Sequence, residues 1–339
     1  MDSCEGSDLR PAALTYLEGE GVNVSDAVKF IAITHWHDDH IRGMAGTVNA
    51  CTSAQVCLSS ALRQREFIEA MYVRETASPG QLTSGLRELR KTFDILHARG
   101  TPPVFANANQ IVFGRNRGEL SHGSACEIRA ISPSSAQFEL ALSALAALMP
   151  SLGETRRRAV DQGENDLSVA TWISVGDIAV LLGADLEERN DPRLGWAAVA
   201  ALPAFPNERA EIFKIPHHGS STGHHEGIWR ERVIKHAIAV LTPWSRGGGL
   251  PTLRDVERIQ SFTDNGYSTS TGLRRPRGKS QYKAVEKQLR EMGTRIVQAQ
   301  PPIGHVRMRK KIGGSDWGVE LFGSACSLTE LHKLKLNPA

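Results

Sequence analysis

Thr34-His35-Trp36-His37-Asp38-Asp39-His40 puts three histidines and two aspartates into seven residues, directly after the apolar run Phe30-Ile31-Ala32-Ile33. A buried strand that runs into so many imidazoles and carboxylates needs positive charge to share among them, because unneutralised polar groups packed against a core are costly. In an extended segment alternate side chains fall on the same side. His35 and His37 can therefore grip one ion from the strand end while Asp39 and His40 turn toward a second. Imidazole suits zinc and similar ions, and carboxylate adds the charge that holds a divalent cation. The competing reading, a polar loop of solvated histidines, fits this crowding poorly.

The chain has 339 residues, 40% of them hydrophobic, enough for one large α/β domain or two smaller ones. No run approaches the roughly 18 to 20 apolar residues of a membrane span. The N-terminus lacks a charged start followed by an apolar stretch, so the expectation is a cytoplasmic chain with no membrane partner. Cys4, Cys51, Cys57, Cys126 and Cys326 are odd in number, scattered and without CxxC spacing, which argues for reduced thiols. Net charge is only +3. Two groups stand out locally: Arg274, Arg275, Arg277, Lys279, Lys283 and Lys287, then Arg307, Arg309, Lys310 and Lys311. Such runs are usually solvated faces, and both are also candidates for contact with nucleic acid.

Along the chain, 11–18 reads as a helix stopped by Gly19 and Gly21, 28–33 as a buried strand and 41–49 as a helix. A short strand at 56–58 precedes helical spacing of Leu62, Phe67, Ile68 and Met71 over 60–75. Ser84 caps a further helix carrying Leu86, Leu89, Phe93 and Leu96, stopped at Gly100. This helical insert, about 60–100, is a candidate lid or substrate wall. Strands are expected at 111–113 and 127–131, an apolar helix from Ser134-Ser135 to Leu148, and a charged loop over 155–163. A hairpin of 167–175 and 178–182 turns at Gly176-Asp177 and runs into Gly183-Ala184-Asp185. Strand 212–215 runs into Pro216-His217-His218-Gly219-Ser220-Ser221, and strand 237–241 precedes a glycine-rich loop and helix 253–262. The end of the chain reads as helix 281–292 and strands at 294–298, 306–308 and 317–322. Strands interleaved with helices, with polar clusters at strand ends, indicate a layered α/β architecture whose site lies in the loops at one edge.

In order and spacing, His35-x-His37-x-Asp39-His40, Asp185 after an apolar strand, and His217-His218 resemble the metallo-β-lactamase superfamily. Asn165-Asp166-Leu167-Ser168, Leu181-Leu182-Gly183-Ala184-Asp185-Leu186-Glu187 and Ile215-Pro216-His217-His218-Gly219-Ser220-Ser221 look most like the hydrolase domain of ComEC-type competence proteins. The resemblance implies a four-layer αβ/βα sandwich over residues 1–275, with 276–339 as a C-terminal helix and strands packing on the same domain. It also implies two divalent ions, zinc first and manganese as the alternative. His35 and His37 would hold one ion, Asp39 and His40 the other, Asp185 would bridge them, and His217 or His218 would complete the second site. Asp39 and Asp185 are the residues expected to be catalytic.

Three departures from that family pattern matter. The third histidine of the first ion, expected roughly 20 residues before Asp185, is absent, and Asn165 or Asp166 would substitute as an oxygen ligand; His122 lies too far upstream. Oxygen ligation shifts preference from zinc toward manganese or magnesium. Leu250-Pro251 stands where ComEC-type chains carry His-Pro, so a leaving-group contact is lost or passes to Ser220, Ser221, Thr222, His224 or His225. Met1-Asp2-Ser3-Cys4 resembles the turn that ends the family's first hairpin, which implies that the opening strands are absent: either this start is internal to the true gene product, or other strands, such as those near 294–322, cover that edge.

A hydroxide poised between two ions hydrolyses phosphodiesters, lactones, esters and amides, and a fold alone does not choose among them. The motif resemblance and the basic groups favour a phosphodiesterase or nuclease with DNA or a nucleotide as substrate. Lys214 either contacts phosphate or points to solvent, the latter being the commoner fate of a strand-edge lysine. Trp36 either stacks on a base or packs in the core. The alternatives are a small-molecule hydrolase for lactones, esters or amides, and a metal-binding regulatory module whose catalysis is weakened by Asn165 and Leu250. Protein partners are not indicated.

Overall fold

The computed structural model describes residues 1–2, 5–6, 9–63, 84–119, 123–148, 163–203, 205–245, 249–272, 288, 291–292 and 304–337. Three short parallel strands, β1 (Phe30–Ala32), β2 (Gln55–Ser59) and β3 (Val104–Ala106), form one sheet. The antiparallel strands β4 (Gln110–Arg115), β5 (Cys126–Ala130) and β6 (Thr171–Val175) lead a second, larger sheet. It continues through β7 (Ile178–Leu182), β8 (Ala210–Lys214), β9 (Val233–Leu241) and β10 (Gly266–Ser268), which run parallel to one another. A separate hairpin, β11 (His305–Arg309) with β12 (Gly318–Phe322), precedes β13 (Cys326–Ser327), which closes the eight-stranded sheet against β10.

The helices are α1 (Ala12–Gly19), α2 (Val24–Ala27), α3 (Asp38–Ile41), α4 (Met44–Ala50), α5 (Ser84–Arg99), α6 (Ser135–Leu148), α7 (Gly195–Ala200), α8 (Leu253–Gln260) and α9 (Leu328–Leu336). None among the described residues is long and apolar enough to cross a membrane. The chain is thus mixed α/β, with a large mixed sheet at its centre.

Strand alternation sends each strand's side chains to two faces, and each face is covered. On one, Trp172, Leu181, Phe213, Ala239 and Leu241 pack with Trp196 of α7, Val256 and Ile259 of α8 and Leu331 of α9. On the other, Ile212, Ile238 and Val240 pack beneath Val306, Met308, Trp317 and Val319 of the β11–β12 hairpin and its connection. A third apolar cluster joins Cys57 and Ala106 of the small sheet to Val112 and Ala130 of the large one.

Three of the four cations in the second basic group pair with carboxylates at that hairpin. Arg307 pairs with Glu320 at 2.8 Å and Arg309 with Glu20 at 3.2 Å. Lys310, its side chain only 7% exposed, pairs with Glu211 at 2.7 Å, and Trp317 Nε1 donates to the same carboxylate. Arg307 and Lys310 are thus structural ties, whereas the Arg309 side chain stays 61% exposed. The first basic group lies outside the described residues, as do 64–83 of the expected insert, His122, the loop 155–162, strand 294–298 and most of helix 281–292.

Two local expectations need correcting. The helix over 41–49 is broken into α3 and α4 because Gly43 takes a left-handed φ of 83°, where a Cβ would meet Glu5 Cγ at 3.0 Å. The start of the insert, Ser60–Arg63, is a 3-10 turn, and among the insert's described residues regular helix is α5. Cys51, Cys57, Cys126 and Cys326 are free thiols.

Candidate metal centre

Parallel strands end at one edge of a sheet, which is where α/β folds place their ligands. β7 ends in Gly183-Ala184-Asp185, β8 in Ile215-Pro216-His217-His218, and β9 in Thr242-Pro243-Trp244. β1 of the small sheet delivers the 34–40 loop to the same place, tied there by Val169 N–H donating to the Thr34 carbonyl at 3.0 Å. Ala184, His217 and His218 all hold positive φ, at 48°, 44° and 54°. For residues with a Cβ this is strain, of the kind that concentrates at functional sites.

Asp39, His40, Asp185 and His218 each offer a ligand atom within 4.8 Å of the others. His40 Nε2 lies 3.2 Å from Asp185 Oδ2 and 3.4 Å from Asp39 Oδ2. His218 Nε2 lies 3.2 Å from Asp185 Oδ2 and 3.1 Å from Asp39 Oδ2. The opposite nitrogen of each ring is anchored: His40 Nδ1 to Asp2 Oδ2 at 2.9 Å, His218 Nδ1 to the Thr242 carbonyl at 2.9 Å. An acceptor on Nδ1 fixes a proton there and turns the Nε2 lone pair into the cluster, the usual way an imidazole is aimed at a metal. Of the tandem histidines it is His218 that joins the cluster. His217 turns aside, its Nδ1 2.8 Å from Thr222 Oγ1 and its Nε2 3.4 Å from Asn165 Nδ2.

His35 and His37 sit beside this cluster rather than in it. His35 is buried, its ring 4.2 Å from that of His40, and its Nε2 lies 3.1 Å from His37 Nδ1. That spacing is near the roughly 3.3 Å between two imidazole nitrogens on one tetrahedral zinc. Asn165 Nδ2 donates to Glu187 at 2.8 Å, and Asn165 Oδ1 is buried with no hydrogen-bond partner among the described residues. Asp185 Oδ1 is likewise buried and accepts no hydrogen bond from them. Orphaned acceptors among lone-pair nitrogens are the donor set a divalent cation satisfies, so the residues fit one.

The protein groups perturb each other strongly. Burial works against charge on His40, but Asp185 and Asp2 outweigh it and push its pKa up to about 10. His218 follows for the same reason, its burial overcome by Asp185 and Asp39, to about 9. Asp185 falls well below the usual carboxylate range although burial opposes this, because His40 and His218 face it. His35 falls well below the ordinary histidine value through burial and the nearby His40.

Asp39, Asp185 and His218 of the cluster line a cavity of about 400 Å³, together with Trp36, His37, Asp38, Glu164, Asn165, His217, Trp244 and Leu250; His40 lies behind this lining. Trp36 is buried in the core as well as lining this wall. Trp244 stacks on His218 with ring centroids 5.5 Å apart, and its backbone exchanges two hydrogen bonds with Leu250. Lys214 turns inward, contrary to the commoner fate of a strand-edge lysine: its Nζ donates to the Ala184 carbonyl at 3.0 Å and lies 3.8 Å from Asp185 Oδ1. None of Ser220, Ser221, Thr222, His224 and His225 lines the cavity.

Asp2 and Glu164 had no place in the sequence-based site. Asp2 binds Thr34 N–H at 2.8 Å as well as His40, and Glu164 lies 2.7 Å from His37 Nε2. The one available signal for Glu164 was its adjacency to Asn165. A scan of family models finds no match to the chain, and no curated protein matches it.

Proposed function

We propose that the chain is a metal-dependent hydrolase of the metallo-β-lactamase type, built on that superfamily's four-layer sandwich, with phosphodiesters as the leading substrate class. The observation that carries this reading is the convergence of ligand atoms of Asp39, His40, Asp185 and His218 within 4.8 Å, three of them, Asp39, Asp185 and His218, lining a cavity. Asp39, His40, Asp185 and His218 would hold one divalent ion, and His35, His37 and Asn165 a second. Ions there would supply Lewis-acid activation of water and of the scissile group. Two carboxylates and two imidazoles make a mixed oxygen and nitrogen set, compatible with zinc and with manganese.

The chain's own residues do the rest. Asp185, reached by both His40 and His218, ties the two halves of the site together, and Asp39 presents an acceptor toward the cavity. Trp36, Trp244 and Leu250 add apolar surface to the same cavity.

One observation favours a second reading, hydrolysis of a lactone or other small ester. Among the described residues no lysine or arginine lines the cavity, so none of them is a dedicated phosphate clamp. The deciding experiment incubates purified protein, loaded with zinc or manganese, with bis(p-nitrophenyl) phosphate, single-stranded DNA, cyclic nucleotides and lactones. The leading reading expects EDTA-sensitive phosphodiester cleavage that is lost in Asp185→Ala. Turnover of lactones alone transfers the assignment to the second reading. One bound ion with no turnover on any substrate points to a regulatory module.

A further inference from the structure

Glu164 is only 8% exposed, and both of its oxygens are committed to the histidine loop. Oε1 accepts from Trp36 Nε1 at 2.6 Å, and Oε2 lies 2.7 Å from His37 Nε2. An indole N–H can only donate, and each carboxylate oxygen faces one donor. Glu164 therefore holds a proton on His37 Nε2, and in the neutral ring Nδ1 keeps the lone pair. On the neighbouring ring the logic runs the same way. Thr34 Oγ1 donates to Asp2 Oδ2 at 2.9 Å, so it accepts from His35 Nδ1 at 2.9 Å, leaving Nε2 bare. With both rings neutral, these two nitrogens are lone pairs facing each other at 3.1 Å, an arrangement that a shared cation relieves and that a second proton on His37 would otherwise bridge.

We propose that Glu164 is a positioning residue: it sets the His37 tautomer and so determines whether the His35–His37 pair can hold an ion. This rests on reading that pair as ligands. Carboxylates behind metal-binding histidines fix ring orientation and basicity, and losing one typically lowers affinity about 10–100-fold.

Glu164→Gln makes a sharp test because Trp36 dictates how the amide must lie. Gln has one acceptor oxygen, and Trp36 Nε1 needs it, so the amide NH2 must face His37 Nε2. His37 then accepts at Nε2 and carries its proton on Nδ1, pointing at His35 Nε2. Every buried group is satisfied and the fold is kept, but the chelating lone pair is gone. Trp36→Phe/Glu164→Gln removes the constraint, lets the amide carbonyl turn to His37 and restores the chelating tautomer.

The experiment counts zinc per chain by mass spectrometry after equilibrium dialysis, and reads histidine tautomers by 15N NMR in EDTA, for wild type, Glu164→Gln and the double variant. The expected result is two ions for wild type. Glu164→Gln should show a His37 Nδ1–H signature and at least tenfold weaker uptake of one ion, and the double variant should recover both. A wild type that takes up a single ion sinks the ligand reading and this inference with it. A two-ion wild type matched by Glu164→Gln with equal affinities and an unchanged His37 tautomer sinks the inference alone.

Discussion

Gly85 and Trp36 meet backbone to backbone: a Cβ on Gly85 would lie 1.8 Å from the Trp36 carbonyl oxygen. Helix α5 therefore rests its first turn directly on the histidine loop, where Ser84 Oγ also donates to the Asp38 carboxylate. Gly85→Ala cannot be accommodated by rotating a side chain, because the clash is with main chain. We expect a loss of about 1–3 kcal/mol or more, the usual cost of overpacking, together with loss of metal uptake. Thermal unfolding and zinc content of the variant check this; an unchanged melting temperature and full metal content would refute the contact.

Asp2 stands one residue behind the candidate metal ligands. Its carboxylate binds Thr34 N–H, Thr34 Oγ1 and His40 Nδ1, and so sets the aim of a candidate ligand. Asp2→Asn keeps the shape but loses the charge that favours a proton on His40 Nδ1. Metal affinity should drop about 10–100-fold with little change in the fold. Competition with a chromogenic chelator measures it, and equal affinity would show that His40 is oriented by other contacts.

What the sequence alone revealed was local crowding. His35, His37, Asp39 and His40 are neighbours in the chain, and Asp185 and His218 end apolar strands, so both kinds of signal are short-range. Glu164 and Asp2 give no such sign, because each acquires its role by meeting residues far away, Glu164 at Trp36 and His37, Asp2 at Thr34 and His40. The choice of His218 over His217 depends on two positive φ values and on the Thr242 carbonyl, neither of which leaves a compositional trace. In the fold, long or alternating apolar runs announced β6 to β9 and α5. The two- and three-residue strands β3, β10 and β13 went unmarked because pairing with neighbours, not their own pattern, makes them strands.

Lys310 and Arg309 are adjacent cations with different expected costs. The Lys310 side chain is 7% exposed and its partner Glu211 19%, whereas that of Arg309 is 61% exposed. Removing one member of a buried pair strands the other, so Lys310→Ala should lose about 3–5 kcal/mol. Arg309→Ala should lose less than about 1 kcal/mol. Urea unfolding of both variants compares them. Equal costs would mean that the hairpin is held by its apolar side, Val306, Met308, Trp317 and Val319, with the ion pairs adding nothing.

His224 supplies a pH dependence that can be isolated. Its ring packs against Phe262 with centroids 5.3 Å apart. Burial first, and the Arg258 charge second, lower its pKa from 6.5 to about 4, with His225 adding to the effect and Glu226 opposing it. A histidine whose folded value is depressed binds its proton more readily in the unfolded chain. Its contribution to stability is therefore complete above about pH 6.5 and is lost progressively as pH falls toward 4. His224→Gln removes this one titration and leaves the site histidines as they were. The difference in melting temperature between pH 7 and pH 5 should consequently be smaller in the variant than in wild type, because only the wild type has a proton to take up on unfolding at that position. Equal differences would place His224 in contact with solvent in the folded protein, titrating as it does in the unfolded chain.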